Sequence, residues 1–113
     1  MRAVTALALT FFAPFLASCS GDAKPATLYR NSPLDHGMRV HFATFDAHEE
    51  SNPNYNFTNC EMAARILNAN VTAMTERGGQ TRDPSVGFWC ERGAYAKRGA
   101  VPSSFPAEFP TDT

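Results

Sequence analysis

The stretch TNCEMAARILNANVTAM, Thr58 to Met74, and the shorter VGFWCE, Val86 to Glu91, decide the fold. In the first, Cys60, Ala63, Ala64, Leu67, Val71 and Met74 recur at helical spacing in one apolar stripe. Glu61, Arg65, Asn68 and Thr72 fall on the polar side. Thr58 and Glu61 have the spacing of a capping box, in which a hydroxyl and a carboxylate each accept from a free backbone N–H. Gly78-Gly79 offers a stop, and the weak helix formers Asn70, Val71 and Thr72 predict an end before Arg77. In the second stretch Val86, Phe88 and Cys90 alternate with Gly87, Trp89 and Glu91, the period of a strand. Cys60 then points inward from the first helical turn, and Cys90 shares the apolar strand face that would meet it.

Working outward, Arg39 to Ala47 reads as the clearest strand, with Val40, Phe42 and Thr44 on one face and His41, Ala43 and Phe45 on the other. Both faces are largely apolar, which predicts a central or well-covered strand. Thr27 to Asn31 is a shorter strand closed by the turn residues 31–35, and His48 to Asn56 and Gln80 to Ser85 are polar loops. Gly93 to Gly99 is a turn, with Tyr95 as an anchor. From Ala100 onward, Pro102, Phe105-Pro106 and Phe109-Pro110 oppose both helix and sheet ladder. The expected fold is α+β: a small two-layer strand-strand-helix-strand domain over residues 27–99 and an extended Pro/Phe tail over 100–113.

The N-terminus has its own pattern. Arg2, an apolar run from Ala3 to Ala17 and small residues before Cys19 form an export signal. The run is shorter than the roughly twenty apolar residues that cross a bilayer. Its end, Leu16-Ala17-Ser18-Cys19, resembles the lipobox of bacterial lipoproteins. The resemblance implies removal of residues 1–18 as a signal peptide and a lipidated Cys19 carrying a diacylglycerol and an N-acyl group. One acyl chain anchors only marginally, so several are needed for stable attachment. Ser20, rather than an aspartate, resembles the outer-membrane-sorted pattern. The implied location is the cell envelope, lipid-anchored and facing the periplasm, with the outer membrane favoured over the inner. Residues 19–26, with Gly21, Asp22, Lys24 and Pro25, read as a lipidated tether.

Removal of residues 1–18 leaves 95 residues with nine Lys+Arg against eleven Asp+Glu, one small domain at most. That balance provides no basic footprint for nucleic acid. With Cys19 assigned to lipid by the resemblance, Cys60 and Cys90 remain as a pair in an oxidising compartment, where a disulfide is expected. Two separate buried thiols are the alternative. The body from Tyr29 to Tyr95 also resembles a group of small uncharacterised proteobacterial proteins. That resemblance implies set positions for both cysteines and no activity.

A single helix leaves the second sheet face uncovered, with Phe45, Trp89, His41 and Tyr29 assigned to it. The Phe105/Phe109 tail, a second copy or an external partner could cover it, since a large apolar patch should not stand in water. Phe45, Trp89, Phe105 and Phe109 are therefore the candidate interaction surface. His36, His41 and His48 lie near Asp46, Glu49 and Glu50, yet lack metal-ligand spacing and read as solvated loop residues. Ser32, His41 and Asp46 make a triad only on paper, and no nucleophile elbow or phosphate-cradling loop occurs. Asn56-Phe57-Thr58 and Asn70-Val71-Thr72 match the glycosylation sequon by chance; Asn56 and Asn70 better serve loop and helix-end hydrogen bonds. No catalytic residue, metal site or cofactor is expected. The reading is a non-enzymatic envelope binding or assembly module, with the membrane and an envelope protein or homodimer as partners. The alternative is a periplasmic inhibitor or immunity-type module acting through the aromatic sheet face.

Overall fold

The computed structural model describes residues 21–109. Residues 1–20, with the expected signal peptide and Cys19, and the end of the tail (110–113) lie outside the described residues. Four elements follow in order: β1 (Ala26–Arg30), β2 (Val40–Phe45), α1 (Tyr55–Arg77) and β3 (Phe88–Arg92). The strands form one antiparallel sheet ordered β2-β1-β3, with α1 crossing from one edge to the other. The architecture is α+β, as the sequence pattern predicts.

The central strand is β1, not β2. Ala26, Thr27, Leu28 and Tyr29 are at most 2% exposed, whereas Val40 and Phe42 of β2 are 40% and 51% exposed. Alternation of apolar residues in β2 suggested cover on both faces, but α1 packs mainly over β3 and β1 and leaves β2 at the margin. The predicted faces of β2 also change. The register jumps between Leu28 and Tyr29, where Leu28 faces Ala43 and Tyr29 faces His41. A bulge places one extra residue on one strand and breaks the period of two. Phe42, Ala43 and Phe45 consequently lie on the helix side, where Phe42 meets Phe88 edge-on at 5.0 Å. His41 and Thr44 share the back face, joined at 2.7 Å.

The helix starts earlier and ends later than its sequence suggests. Asn52 Oδ1 accepts from Asn54 N–H, and Asn52 O accepts from Tyr55 N–H, so the loop turns into α1 one turn before Thr58. Thr58 donates its N–H to Asn54 O at 2.9 Å from inside the first turn, so no Thr58–Glu61 capping box forms. At the other end, Arg82 donates to Asn68 O and to Thr72 Oγ1. These bonds tie the weak helix formers down, and α1 runs to Arg77 before Gly78 and Gly79, the latter at φ +76°. Met74, placed in the apolar stripe by spacing, is 62% exposed because the helix overhangs the sheet there.

Two cores flank the sheet. On the helix side, Ala26, Leu28, Cys60, Ala64 and Phe88 pack with Phe45, Leu67 and Val71. On the back, Tyr29, Trp89 and Phe105 pack with Val101. Cys60 is fully buried and bonded to Cys90, with the Cα atoms 6.0 Å apart. The bond joins the first turns of α1 to β3 opposite Leu28. Residues 21–25 are not a free tether: Gly21 N–H donates to His48 O, Ala23 N–H to Glu50 O and Lys24 N–H to Pro53 O. Gly21 fits because a Cβ there would collide with the carbonyl of Glu50.

The pair closes a loop with a sequence separation of 30. Replacement of both cysteines by alanine is expected to lower the unfolding free energy by about 3–4 kcal/mol in the chain-entropy account. Urea unfolding of the oxidised protein and the double variant measures it, and coincident curves would show that the bond is dispensable.

Candidate functional site

The four residues of the sequence-derived interaction surface are not brought together. Trp89 and Phe105 are buried on each other, with ring centroids 6.0 Å apart. Phe45 sits on the opposite sheet face, in the helix-side core. Phe109 is 57% exposed and lies with Met62, Arg65 and Ile66 of α1. The chain's own segment after β3 covers the back face.

Arg39, which the sequence offered only as a strand residue, closes that cover. It is 7% exposed, and its guanidinium lies 4.3 Å from the Tyr29 ring centroid. Nη1 and Nη2 donate to Glu91 Oε2 (2.5 Å) and Oε1 (2.9 Å), while Nε and Nη1 also donate to Ala96 O and Ala100 O. Tyr29 stacks on Trp89 at 5.4 Å and accepts from Ala96 N–H through its hydroxyl, and Trp89 Nε1–H donates to Glu91 Oε2. The Arg39 hydrogen bond holds the Glu91 carboxyl below the ordinary glutamate range, assisted by the Trp89 indole and opposed by desolvation. The same bond raises Arg39, so the pair stays charged. Every donor here is directed at the protein itself. The cluster is a clasp for the 94–105 segment.

Three buried asparagines do similar work. Asn68 is fully buried, although the helical period put it on the polar side. It accepts from Phe88 N–H at 2.8 Å and donates to Phe88 O at 2.9 Å, standing in for a neighbouring strand. Gly87 precedes it without a side chain because a Cβ would lie 2.8 Å from Asn68 Oδ1 and strike Phe105. Asn31 bridges His36 O, Ser85 O and Gly87 N–H. Asn56 bridges Lys24 O with both backbone groups of Ala47, the loop role expected for it. Asn70 is exposed, and its amide reaches only Met74 Sδ at 3.5 Å.

The titratable clusters have no reaction geometry. His41 bonds Thr44 and lies against Tyr95, while His48 is exposed in the loop that follows β2. Among the described residues no group of three His, Cys, Asp or Glu side chains is placed to hold a metal ion. Ser85, His36 and Asp83 do converge, unforeseen from the sequence. However, Ser85 Oγ and Asp83 Oδ2 both approach the same His36 nitrogen, Nε2, at 3.3 and 3.7 Å. A proton relay needs the two partners on opposite ring nitrogens. The Ser85 hydroxyl, then its N–H, lowers the Asp83 carboxyl, as in an ordinary capped turn.

Two surfaces of the described residues bear on binding. One is a cleft of about 320 Å³ between α1, β3 and residues 102–106, bordered by Glu61, Arg65, Trp89, Cys90, Ser104 and Pro106. The other is the outer edge of β2, which no other described strand pairs. Its sequence VHFATF contains no charged residue and no proline, the usual guards of an exposed edge. Met38 leads into it 45% exposed, followed by the open side chains of Val40 and Phe42. No helix among the described residues is long and apolar enough to cross a membrane. No protein-family model matches the chain, and no curated protein or solved structure matches it.

The Arg39–Glu91 pair makes stability depend on pH with a definite sign. A depressed carboxyl contributes fully above the ordinary glutamate range, about pH 4–5, and its contribution is lost as pH falls through the depressed value. Glu91→Gln should therefore be less stable than wild type at pH 7 and show a flatter decline under acid. Parallel stability–pH curves from urea unfolding would remove the clasp from the account.

Proposed function

We propose that this chain is a lipid-anchored envelope module that binds or helps assemble another envelope component without catalysing a reaction. The observation that carries the reading is the uncharged, apolar outer edge of β2, which no other described strand pairs. In a strand of this kind the outward N–H and C=O groups offer main-chain hydrogen bonds, and Val40 and Phe42 offer apolar contact to an added strand. The buried polar groups of the domain are spent on its own backbone, which supports a structural rather than a chemical task. Support for the anchor comes from the Leu16–Cys19 tetrad and the apolar run before it. Attachment facing the periplasm, with the outer membrane favoured, follows from that tetrad and from Ser20. The inhibitor or immunity-type reading relied on the aromatic face or the Phe-Pro tail; the 94–105 segment occupies that face, while Phe109 of the tail is exposed and the β2 edge offers a further surface.

Labelling with a radioactive fatty acid is expected to mark the wild type and to fail for Cys19→Ala. With a photo-crosslinking side chain at position 42, the native envelope should yield a discrete adduct that is lost when Val40 is changed to Lys. The same crosslinker at Glu76, on the exposed end of α1, should yield none. Equal adducts from both positions would refute the β2 edge as the working surface.

A further inference from the structure

We infer that the membrane is itself a docking surface for this domain, which stands upright on the end formed by residues 46–51. The inference rests on the lipid-anchor reading of Cys19. Its structural basis is the link between anchor and domain. Gly21, Ala23 and Lys24 are hydrogen-bonded in sequence to His48, Glu50 and Pro53, and Asn56 Nδ2–H secures the Lys24 carbonyl at 2.9 Å. Only Ser20 separates Cys19 from the first pinned residue. Two Cα–Cα steps span at most about 7–8 Å. The backbone of residue 19 is thereby confined to within that reach of the Gly21–His48 contact, and its lipid to that reach plus the side chain and glyceryl group. A chain this short cannot let the domain tumble freely above the bilayer.

The same end of the molecule gathers the start of β1, the end of β2, the start of α1 and the end of β3, since Ala26 pairs with both Phe45 and Arg92. The opposite end holds Asn31 bonded to Gly87, and the Gly78-Gly79 stop of α1. A helix of 23 residues is about 34 Å long. That length sets the height of the far end. The near end carries Asp22, Asp46, Glu49 and Glu50 against Lys24 and Arg92, with Arg92 turned over Phe57 and bonded to Asn54 Oδ1. Excess carboxylates oppose penetration into a phosphate-bearing surface, so the lipid alone inserts, and it is the short link that holds the loop beside the headgroups. Standing this way, β2 presents its free edge sideways.

The test uses the lipidated full chain, reconstituted in phosphatidylcholine vesicles that contain a headgroup-labelled quenching lipid. A fluorophore is attached through Glu49→Cys or, separately, Glu76→Cys; Cys60 is buried in its disulfide and does not react. At position 49 quenching should be several-fold stronger than at position 76. In Gly21→Ala the added Cβ meets the Glu50 carbonyl and frees the link, and the contrast should shrink. Equal quenching at both positions in the otherwise native chain, stronger quenching at 76, or a contrast unaffected by Gly21→Ala would each overturn the inference. Failure of the anchor reading is separable: the chain would then carry no fatty acid label and would not float with vesicles at all.

Discussion

A five-residue strand buried on both faces is the constraint around which the rest of the chain is arranged. β1 contributes Ala26 and Leu28 to one core and Tyr29 to the other, and neither neighbour strand can protect it without an outer layer. The helix covers one side, held to β3 by the Cys60–Cys90 bond. Among the described residues the other side has no second helix. It is closed by an irregular segment, which has no ladder of its own and needs side chains to fix its carbonyls. Arg39 meets that need because a guanidinium has several donors in one plane. It holds Glu91, Ala96 and Ala100 while lying on Tyr29. Burying such a charge is costly unless it is paired, and Glu91 is the pair.

Asparagine plays the matching part for backbone groups left over by short elements. A side-chain amide has a donor and an acceptor in the same arrangement as a peptide group. Asn68 can therefore satisfy both groups of Phe88 where β3 has no outer neighbour among the described strands. Asn31 and Asn56 do so at the two ends of the sheet. An unsatisfied buried amide costs on the order of 1–3 kcal/mol. In a domain with so small an apolar core, three such sites are a substantial share of what keeps it folded.

Legibility in the sequence follows from how local each cause is. The helix stripe, the three strands and the cysteine pair depend on periodicity and parity, and they were readable. The start of α1 was not, since Asn52-Pro53-Asn54 competes with Thr58 for the same role and nothing local ranks them. The facing of Phe42, Ala43 and Thr44 depends on a bulge, whose cause lies in pairing with β1. Burial of Asn68 depends on Phe88 and Arg82, which are fixed only once α1 and β3 meet. The same limit applies to the candidate site. Phe45, Trp89, Phe105 and Phe109 share a chemistry but not a surface, whereas the β2 edge is recognisable only after the sheet order is known. Its one sequence signal is the lack of charge from Val40 to Phe45.

The pinned link and the open edge bear on each other. A strand six residues long extends about 20 Å. If the domain stands on its 46–51 end, the whole β2 edge lies close to the bilayer and is reachable from the side. Antiparallel pairing of two such edges by a two-fold axis across the strands would put their anchored ends at opposite poles. Two copies anchored as proposed, by short links in one leaflet, cannot adopt that arrangement. On the proposed anchoring, antiparallel self-pairing at β2 is disfavoured, and the edge is left to a strand that approaches along the membrane plane.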